Sequence, residues 1–514
     1  MLAHRYLVYF GILFLISMSL RLLQRNQTTI HSTATTKLTV KRYYEEELSG
    51  LSIRPGDLPG YTGWGRSEST LAPFFRITEV PSTGIAGSLV RIIMECQGNS
   101  LCETSRPSFF VRAYGPSIIT GQVNRIPDSE SSFEINLRPI DPGSYHVEIV
   151  LTFSDLPDFG SFPLPDAESF KKHLYEGYHV SGSPFQLNVI GQPLSEPSDL
   201  PLCKPEQLVE TSRDDKSRRR ARWRVIDNIN SVNHQRNTLT EKNVTLQGYQ
   251  ESFNSLGIVM DYQFEDCRLM PEPTHKINLF QCVREPLHII LIGDSTFRLQ
   301  EKVIRKYVAF NPLIRVSFLE LYGGYFKTQY LTGPNVSDFL AQTADDVGKR
   351  MILFNTGLHD IHRLCGGEEM IEDRLTYLRS DMPRACVDMY KIAISKLAED
   401  IAKLPETDIK IFQTTTAAWQ KYGNYGVAWD PRYGQPLPLD TSFIEYFNAV
   451  AVQTLRQYPN IQIIDGFYVS LSRPDHREVD AKSALGRKLS HPGVEVISAM
   501  VRMWSMLILQ DLCQ

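Results

Sequence analysis

Ser295 closes an apolar run in Ile290-Leu-Ile-Gly-Asp-Ser-Thr296, and the residues after it read as a helix. A serine at that junction has its hydroxyl beside backbone N–H groups that lack an intrahelical acceptor. Those groups and the helix dipole can hold an oxyanion. Gly293 lets the chain turn tightly there, and Asp294 is placed to brace the loop. A second block, Phe354-Asn-Thr-Gly-Leu-His-Asp360, also ends an apolar run, and a third, Ser490-His-Pro492, precedes the last helical pattern. Each block has a plainer reading: Ser295 as a helix N-cap, His491 as a capping or core histidine, His359 as a structural loop residue. His359, Asp360 and His362 could also group around a metal, but no fourth ligand has sensible spacing, so no metal site is expected.

The elements that must position these blocks alternate strand and helix. Strand-like apolar runs fall at His288–Ile292, Leu313–Leu321, Met351–Asn355, Ile409–Thr414 and Ile461–Ile464. Helical spacing falls at Phe297–Phe310, Met389–Leu404, Phe443–Tyr458 and Val494–Leu512. This alternation implies a parallel sheet with helices on both faces over residues 285–514. Ligands of open α/β sheets bind outside the carboxyl ends of the strands, where the Ser295 and Gly357 blocks lie. Upstream, residues 70–192 carry short β runs punctuated by Gly, Pro and Asp. Tyr145, Val147, Ile149 and Leu151 alternate as in a strand with one buried face, and the pattern means a β-sandwich. Residues 193–284 read as a linker and lead-in segment. Within them Lys216-Ser-Arg-Arg-Arg-Ala-Arg-Trp-Arg224 reads as a solvated basic turn, with an acidic-glycan contact or convertase cleavage around Arg219 to Arg222 as the functional alternatives.

The 514 residues are 42% hydrophobic and 22% charged, which excludes wholesale disorder and long coiled coil. With 54 basic and 58 acidic residues the net charge is −4, so no global polyanion-binding field is expected, and nucleic acid is not a partner. The compartment is read from the N-terminus. Tyr6 to Leu20 is an apolar run flanked by Arg5, Arg21 and Arg25, short but sufficient for a signal anchor in a thin early-secretory bilayer. The alternative is a cleaved signal peptide and a secreted protein. Residues 1–25 are thus read as a cytoplasmic tip and membrane helix, and the Thr-rich residues 26–69 as a stem. Asn26, Asn243 and Asn335 head glycosylation sequons if lumenal. The eight cysteines include no CxxC pair and favour disulfides in an oxidising lumen. Cys96–Cys102 is the most local candidate, and Cys267–Cys282 and Cys365–Cys386 are further ones, although connectivity is not readable from sequence.

Asp141-Pro-Gly-Ser-Tyr145 and Gly182-Ser-Pro-Phe185 resemble the turn-plus-tyrosine and the last-strand opening of a filamin-type immunoglobulin repeat. The order Ser295, Gly-x-polar loop, late His491 resembles the SGNH hydrolases, in their PC-esterase branch. With the signal anchor, and with Arg222-Trp223, Tyr262 to Cys267 and Cys282, the chain resembles the NXPE family (neurexophilin and PC-esterase domain). The fold implied is multidomain: a signal-anchor helix, a filamin/Ig-like β-sandwich, and a three-layer SGNH-like α/β domain.

The resemblance implies Ser295 as nucleophile and His491 as general base, then acid. It places Gly357 and His359 at the oxyanion turn, with Gly323 or Gly324 as a second backbone donor. The superfamily usually has an aspartate three residues before the late histidine, and here Lys488 stands there. Asp465, Asp475 and Asp480 are the substitutes, with Asp465 preferred because it follows Ile461–Ile464 at the active edge and Asp480 next. A Ser–His dyad is the other possibility. The function implied is a lumenal, type II, Golgi-region glycan O-acetyltransferase or acetylesterase. It would bind no cofactor and would take acetyl from a donor such as acetyl-CoA or an acetylated glycan. The implied partners are a glycan or glycoprotein acceptor, the membrane, and a protein docking on the filamin-like domain. The rival reading is a non-catalytic binding protein with a relic SGNH domain.

Overall fold

Alternation of apolar and polar side chains builds the first region. The computed structural model describes residues 71–99, 102, 105–155, 175–192, 199–209, 221–227, 252–254, 259–271, 280–321, 336–343, 348–365, 386–418, 429–430, 435–436, 441–474, 476–479 and 487–513. Strands β1 (Phe75–Glu79), β3 (Val90–Cys96), β7 (Ser132–Leu137) and β6 (Gln122–Arg125) form one antiparallel sheet in that order. A second sheet contains β5 (Ser117–Thr120), β4 (Ser108–Tyr114), β8 (Gly143–Phe153), β10 (Phe185–Ile190) and β2 (Thr83–Ile85), with β9 (Tyr175–His179) on β8. Phe133, Ile135 and Leu137 point inward at the strand period of two and meet Tyr145, Val147, Ile149 and Leu151 across the sandwich. The expected Cys96–Cys102 disulfide lies in the same core.

The turn before β8 needs glycine twice over. Gly143 adopts a φ of 140°, and a Cβ there would come within 2.4 Å of Pro116 Cγ. The Tyr145 hydroxyl donates to Asp141 O at 2.9 Å and meets Ser117 Oγ at 2.8 Å. Burial pushes this phenol up to about 12. The one-buried-face expectation holds only for the start of β8. From Val147 to Phe153 every side chain is buried, because the α/β region covers the outer face of this sheet. Phe153 joins that region's core, and Ser108 Oγ meets Ser442 Oγ at 3.1 Å.

Residues 193–284 are more than a lead-in. They supply β11 (Ala221–Asp227) and β13 (Val259–Phe264), which extend the larger sheet beyond β5, and β12 (Ser252–Asn254). The end of the basic stretch is therefore not a solvated turn. Trp223 pairs with Ile118 and Arg224 with Ser117. Arg222 is buried and donates from Nε and Nη2 to the Asp141 carboxylate at 2.6 and 3.2 Å, which is how a strand reading Arg-Trp-Arg can lie inside. Trp223 is fully buried; its Nε1 donates to Val469 O at 2.8 Å, and Arg473 stacks 4.8 Å from its ring centre.

Among the described residues the α/β region has five parallel strands, β14 (Leu287–Gly293), β15 (Ile314–Glu320), β16 (Lys349–Phe354), β17 (Ile409–Gln413) and β20 (Gln462–Ile464), in the order β15-β14-β16-β17-β20. Between the last two, β18 (Trp429–Asp430) pairs with β19 (Gln435–Pro436). Helix α1 (Pro205–Leu208) precedes this region, and α2 (Ser295–Val308), α3 (Val336–Gln342), α4 (Leu358–Cys365), α5 (Cys386–Ala402), α6 (Thr441–Leu455), α7 (Phe467–Leu471) and α8 (Val494–Leu512) belong to it. β14 is buried from end to end because both faces are covered. Ile290 and Ile292 pack with α5 and α6, and Ile289 and Leu291 with α2 and α8.

Disulfide Cys203–Cys267 closes a loop within the lead-in, and Cys282–Cys513 ties the lead-in to the end of the last helix. They replace the expected Cys267–Cys282 pair; each of these cysteines lies nearer in space to a partner remote in sequence. The side chains of Cys365 and Cys386 lie outside the described residues, as do the run Tyr6–Leu20 and the stem. Among the described residues, no helix is long and apolar enough to cross a membrane.

Candidate active site

Asp294, not Ser295, caps α2. The Asp294 carboxylate accepts from Thr296 N at 2.8 Å and Thr296 Oγ1 at 2.7 Å. Ser295 is thereby released from the capping role and becomes the first helical residue. Its N–H has no intrahelical acceptor, and its hydroxyl is free to face outward from the helix end. Gly293 is required for close approach rather than for a turn: a Cβ there would lie 2.7 Å from Phe297 Cγ, so the ring packs over the glycine.

The Ser295 hydroxyl meets His491. Oγ and Nε2 are 2.7 Å apart, and both residues are buried, 9% and 8% exposed. The two positions are 196 residues apart in the chain. β14 and α2 bring the serine; β22 (Arg487–Pro492), paired with β21 (His476–Val479), brings the histidine. His491 is not the cap of α8. That place belongs to His476, which the sequence reading missed: its Nε2 accepts from Glu495 N at 3.1 Å, and its carbonyl accepts from Gly493 N at 3.0 Å. Gly493 leaves room for the ring, since a Cβ there would lie 2.4 Å from His476 Cδ2.

The Gly357 turn lies one strand over on the same sheet edge. Ile292 is in register with Phe354, and Asn355 N donates to Ile292 O at 3.0 Å. Gly357 has a φ of 149°, and a Cβ would meet Thr415 Oγ1 at 2.4 Å. Thr415 Oγ1 and Tyr390 OH both donate to Thr356 O, at 3.1 and 3.0 Å, and Asn355 Nδ2 reaches Gln413 O at 2.8 Å. The turn is thus held by residues of three other segments. His359 is half-buried at the second position of α4. Asp360 is buried and accepts from Thr356 Oγ1, so it serves the helix start. Its charge, together with burial, holds the Tyr390 phenol well above its ordinary range, burial being the larger cause.

Asp465 lies just after β20, at the strand end expected for it, and starts a helix there. Its Oδ1 accepts from Tyr468 N at 2.9 Å and Thr414 Oγ1 at 3.2 Å, bonds that start α7 and tie it to the end of β17. It follows β20, three strands from β14, a separation of about 14 Å at the usual strand spacing. Its charge adds to burial in raising the Tyr262 phenol. Asp475, Asp480, Gly323, Gly324, Asn26, Asn243 and Asn335 lie outside the described residues, as do the side chains of Lys488 and His362. Among the described residues, no group of three metal-ligating side chains comes together. A cleft of about 1300 Å³ opens between the larger sandwich sheet and α6 and α7, with Phe110, Tyr262, Asn448 and Asp465 on its walls; neither Ser295 nor His491 lines it.

No family model and no curated protein matches the chain. Among solved structures, the crystal structure of the Lin-41 filamin domain is similar over 23% of this chain and 94% of that one, with 19% identity and a TM-score of 0.16.

Proposed function

We propose that this chain is an acyl-transfer enzyme of the NXPE type, with a filamin/Ig-like sandwich ahead of an SGNH/PC-esterase-like domain. It moves an acetyl group to or from glycan hydroxyls through an acyl-Ser295 intermediate. The observation that carries this reading is the 2.7 Å contact of Ser295 Oγ with His491 Nε2, made by a serine whose capping duty Asp294 has taken over.

In the first half-reaction His491 accepts the Ser295 proton at Nε2 as Oγ attacks the acyl carbonyl carbon. The oxyanion forms at the N-terminus of α2, within reach of the Ser295 N–H, and the Gly357–His359 turn is the adjacent candidate donor. Collapse breaks the bond to the leaving group, which takes the proton from Nε2. In the second half a sugar hydroxyl gives its proton to Nε2 as its oxygen takes the acyl group; the bond to Ser295 Oγ breaks, and Oγ recovers the proton from Nε2. Water in place of the sugar makes the enzyme an esterase. The donor is acetyl-CoA or an acetylated glycan. The setting is a type II membrane protein anchored by Tyr6 to Leu20 with its bulk in the Golgi lumen.

Asp465 Oδ1 accepts from Thr414 and Tyr468; Asp465, Asp480 and Asp475 are the candidate acids for His491 beside a Ser–His dyad, and Asp465→Asn compared with Asp480→Asn separates them. The test is fluorophosphonate labelling of the purified lumenal part, read by intact mass beside Ser295→Ala. A single adduct lost in the variant supports the mechanism. No adduct on folded protein would favour the rival reading, a binding protein whose sandwich engages a partner.

A further inference from the structure

The turn that carries His491 is held from outside by residues that have no part in the acyl-transfer chemistry itself. Pro492 is in register with Arg477, and Gly493 N donates to His476 O at 3.0 Å, so β21 fixes the backbone on the helix side of His491. The His476 ring then turns under the start of α8. It is fully buried, and its Nε2 accepts from Glu495 N, the second amide of that helix. This amide is one an N-cap side chain ordinarily satisfies, and the residue at the cap position, Gly493, has no side chain to do so. The Glu495 carboxylate in turn accepts from Arg473 Nη1 at 3.0 Å, and Arg473, with its side chain fully buried, stacks on Trp223 of the sandwich-side strand β11.

We propose that His476 is a positioning residue for His491: its neutral imidazole stands in for a side-chain N-cap and sets the catalytic ring against Ser295. Arg473 and Trp223 form the backing of the same support. The inference deepens the acyl-serine reading and rests on it for its catalytic consequence. An imidazole suits the place because an acceptor is needed without a second negative charge beside Glu495. Nε2 can accept only while the ring is neutral and protonated at Nδ1. The support is also how the sandwich enters the site: β11 reaches the start of α8 through three side chains, Trp223, Arg473 and Glu495.

The test compares His476→Gln with His476→Leu in the full lumenal chain. Gln places an amide oxygen near the position of Nε2; Leu fills space without an acceptor. The rate of fluorophosphonate adduct formation at Ser295 should stay within about threefold of wild type in the Gln variant. In the Leu variant it should fall by about tenfold to a hundredfold, the scale of an ångström-sized misplacement. Thermal melting and circular dichroism separate this from unfolding. Equal rates in both variants, or equal losses that follow the fall in melting temperature, would overturn the proposal. If wild type itself takes no adduct, the acyl-serine reading fails separately. The 15N resonances of the His491 ring then decide the positioning claim: a shift in the Leu variant but not in the Gln variant supports it, and no shift in either overturns it.

Discussion

Two helices begin at this site, and they are started in opposite ways. At α2 everything needed lies within five residues: Gly293 admits the Phe297 ring, Asp294 caps, and Ser295 is left to meet His491. At α8 the glycine is again packed under a ring, but the ring is His476, seventeen positions upstream, and the acid in the first turn, Glu495, is held by Arg473. Ser295 is positioned by its own sequence neighbours. His491 stands at the end of a chain of contacts that runs back through Trp223 and Arg222 to the Asp141 turn of the sandwich. A locally built end tolerates change elsewhere in the molecule; a remotely built end inherits the stability of every link.

The largest expected effect comes from the remote chain. Trp223→Ala removes a fully buried indole and the stacking surface of Arg473 and should cost about 3–5 kcal/mol, read by denaturant unfolding. It should also slow Ser295 labelling under conditions where the protein is still folded; an unchanged labelling rate would break the asymmetry between the two helix starts. Next is Gly493→Ala, which drives a methyl toward the His476 ring and should cost about 1–3 kcal/mol. Its labelling rate should drop further than its melting temperature alone accounts for.

Alkaline pH tests the far end of the chain. The Tyr145 phenol is pushed from its ordinary 10 up to about 12, so its contribution is complete below pH 10 and is lost as pH rises from 10 to 12. The loss should be on the order of 2 kcal/mol. Tyr145→Phe should flatten that window while lowering neutral-pH stability by about 1–2 kcal/mol, because Asp141 O and Ser117 Oγ lose their partner. The smallest effect is Asp294→Ala at the local end, about 1 kcal/mol for a lost cap, measured by thermal melting.

The same contrast explains what the sequence could tell. β14 and its neighbours are legible because both faces are buried and the runs are apolar throughout, and Ser295 is legible because its surroundings are consecutive. β11 is not, since two of its buried or half-buried residues are arginines whose acid, Asp141, lies 81 positions from Arg222. His476 carries no local signal at all: only the pairing of β21 with β22 brings it under α8. Asp465 is ambiguous in the sequence because an aspartate after a strand serves a nearby helix start, here α7, as readily as a distant histidine. A residue that could have been found is Gly493, since a glycine just after a Ser-His-Pro and just before a long helix leaves a cap to be supplied from elsewhere.

The Cys282–Cys513 bond has a consequence in time. Its two thiols are separated by 231 residues, which take roughly 10–50 s to synthesise. Throughout that interval Cys282 is oxidisable and its partner does not yet exist. The nearest thiol, Cys267, is fifteen positions away, and short loops close most readily. Early oxidation is thus biased toward the very pair that local spacing favours and the finished molecule lacks, and thiol–disulfide exchange must undo it before Cys267 can join Cys203. Refolding of the reduced protein should therefore speed up when a disulfide isomerase is added.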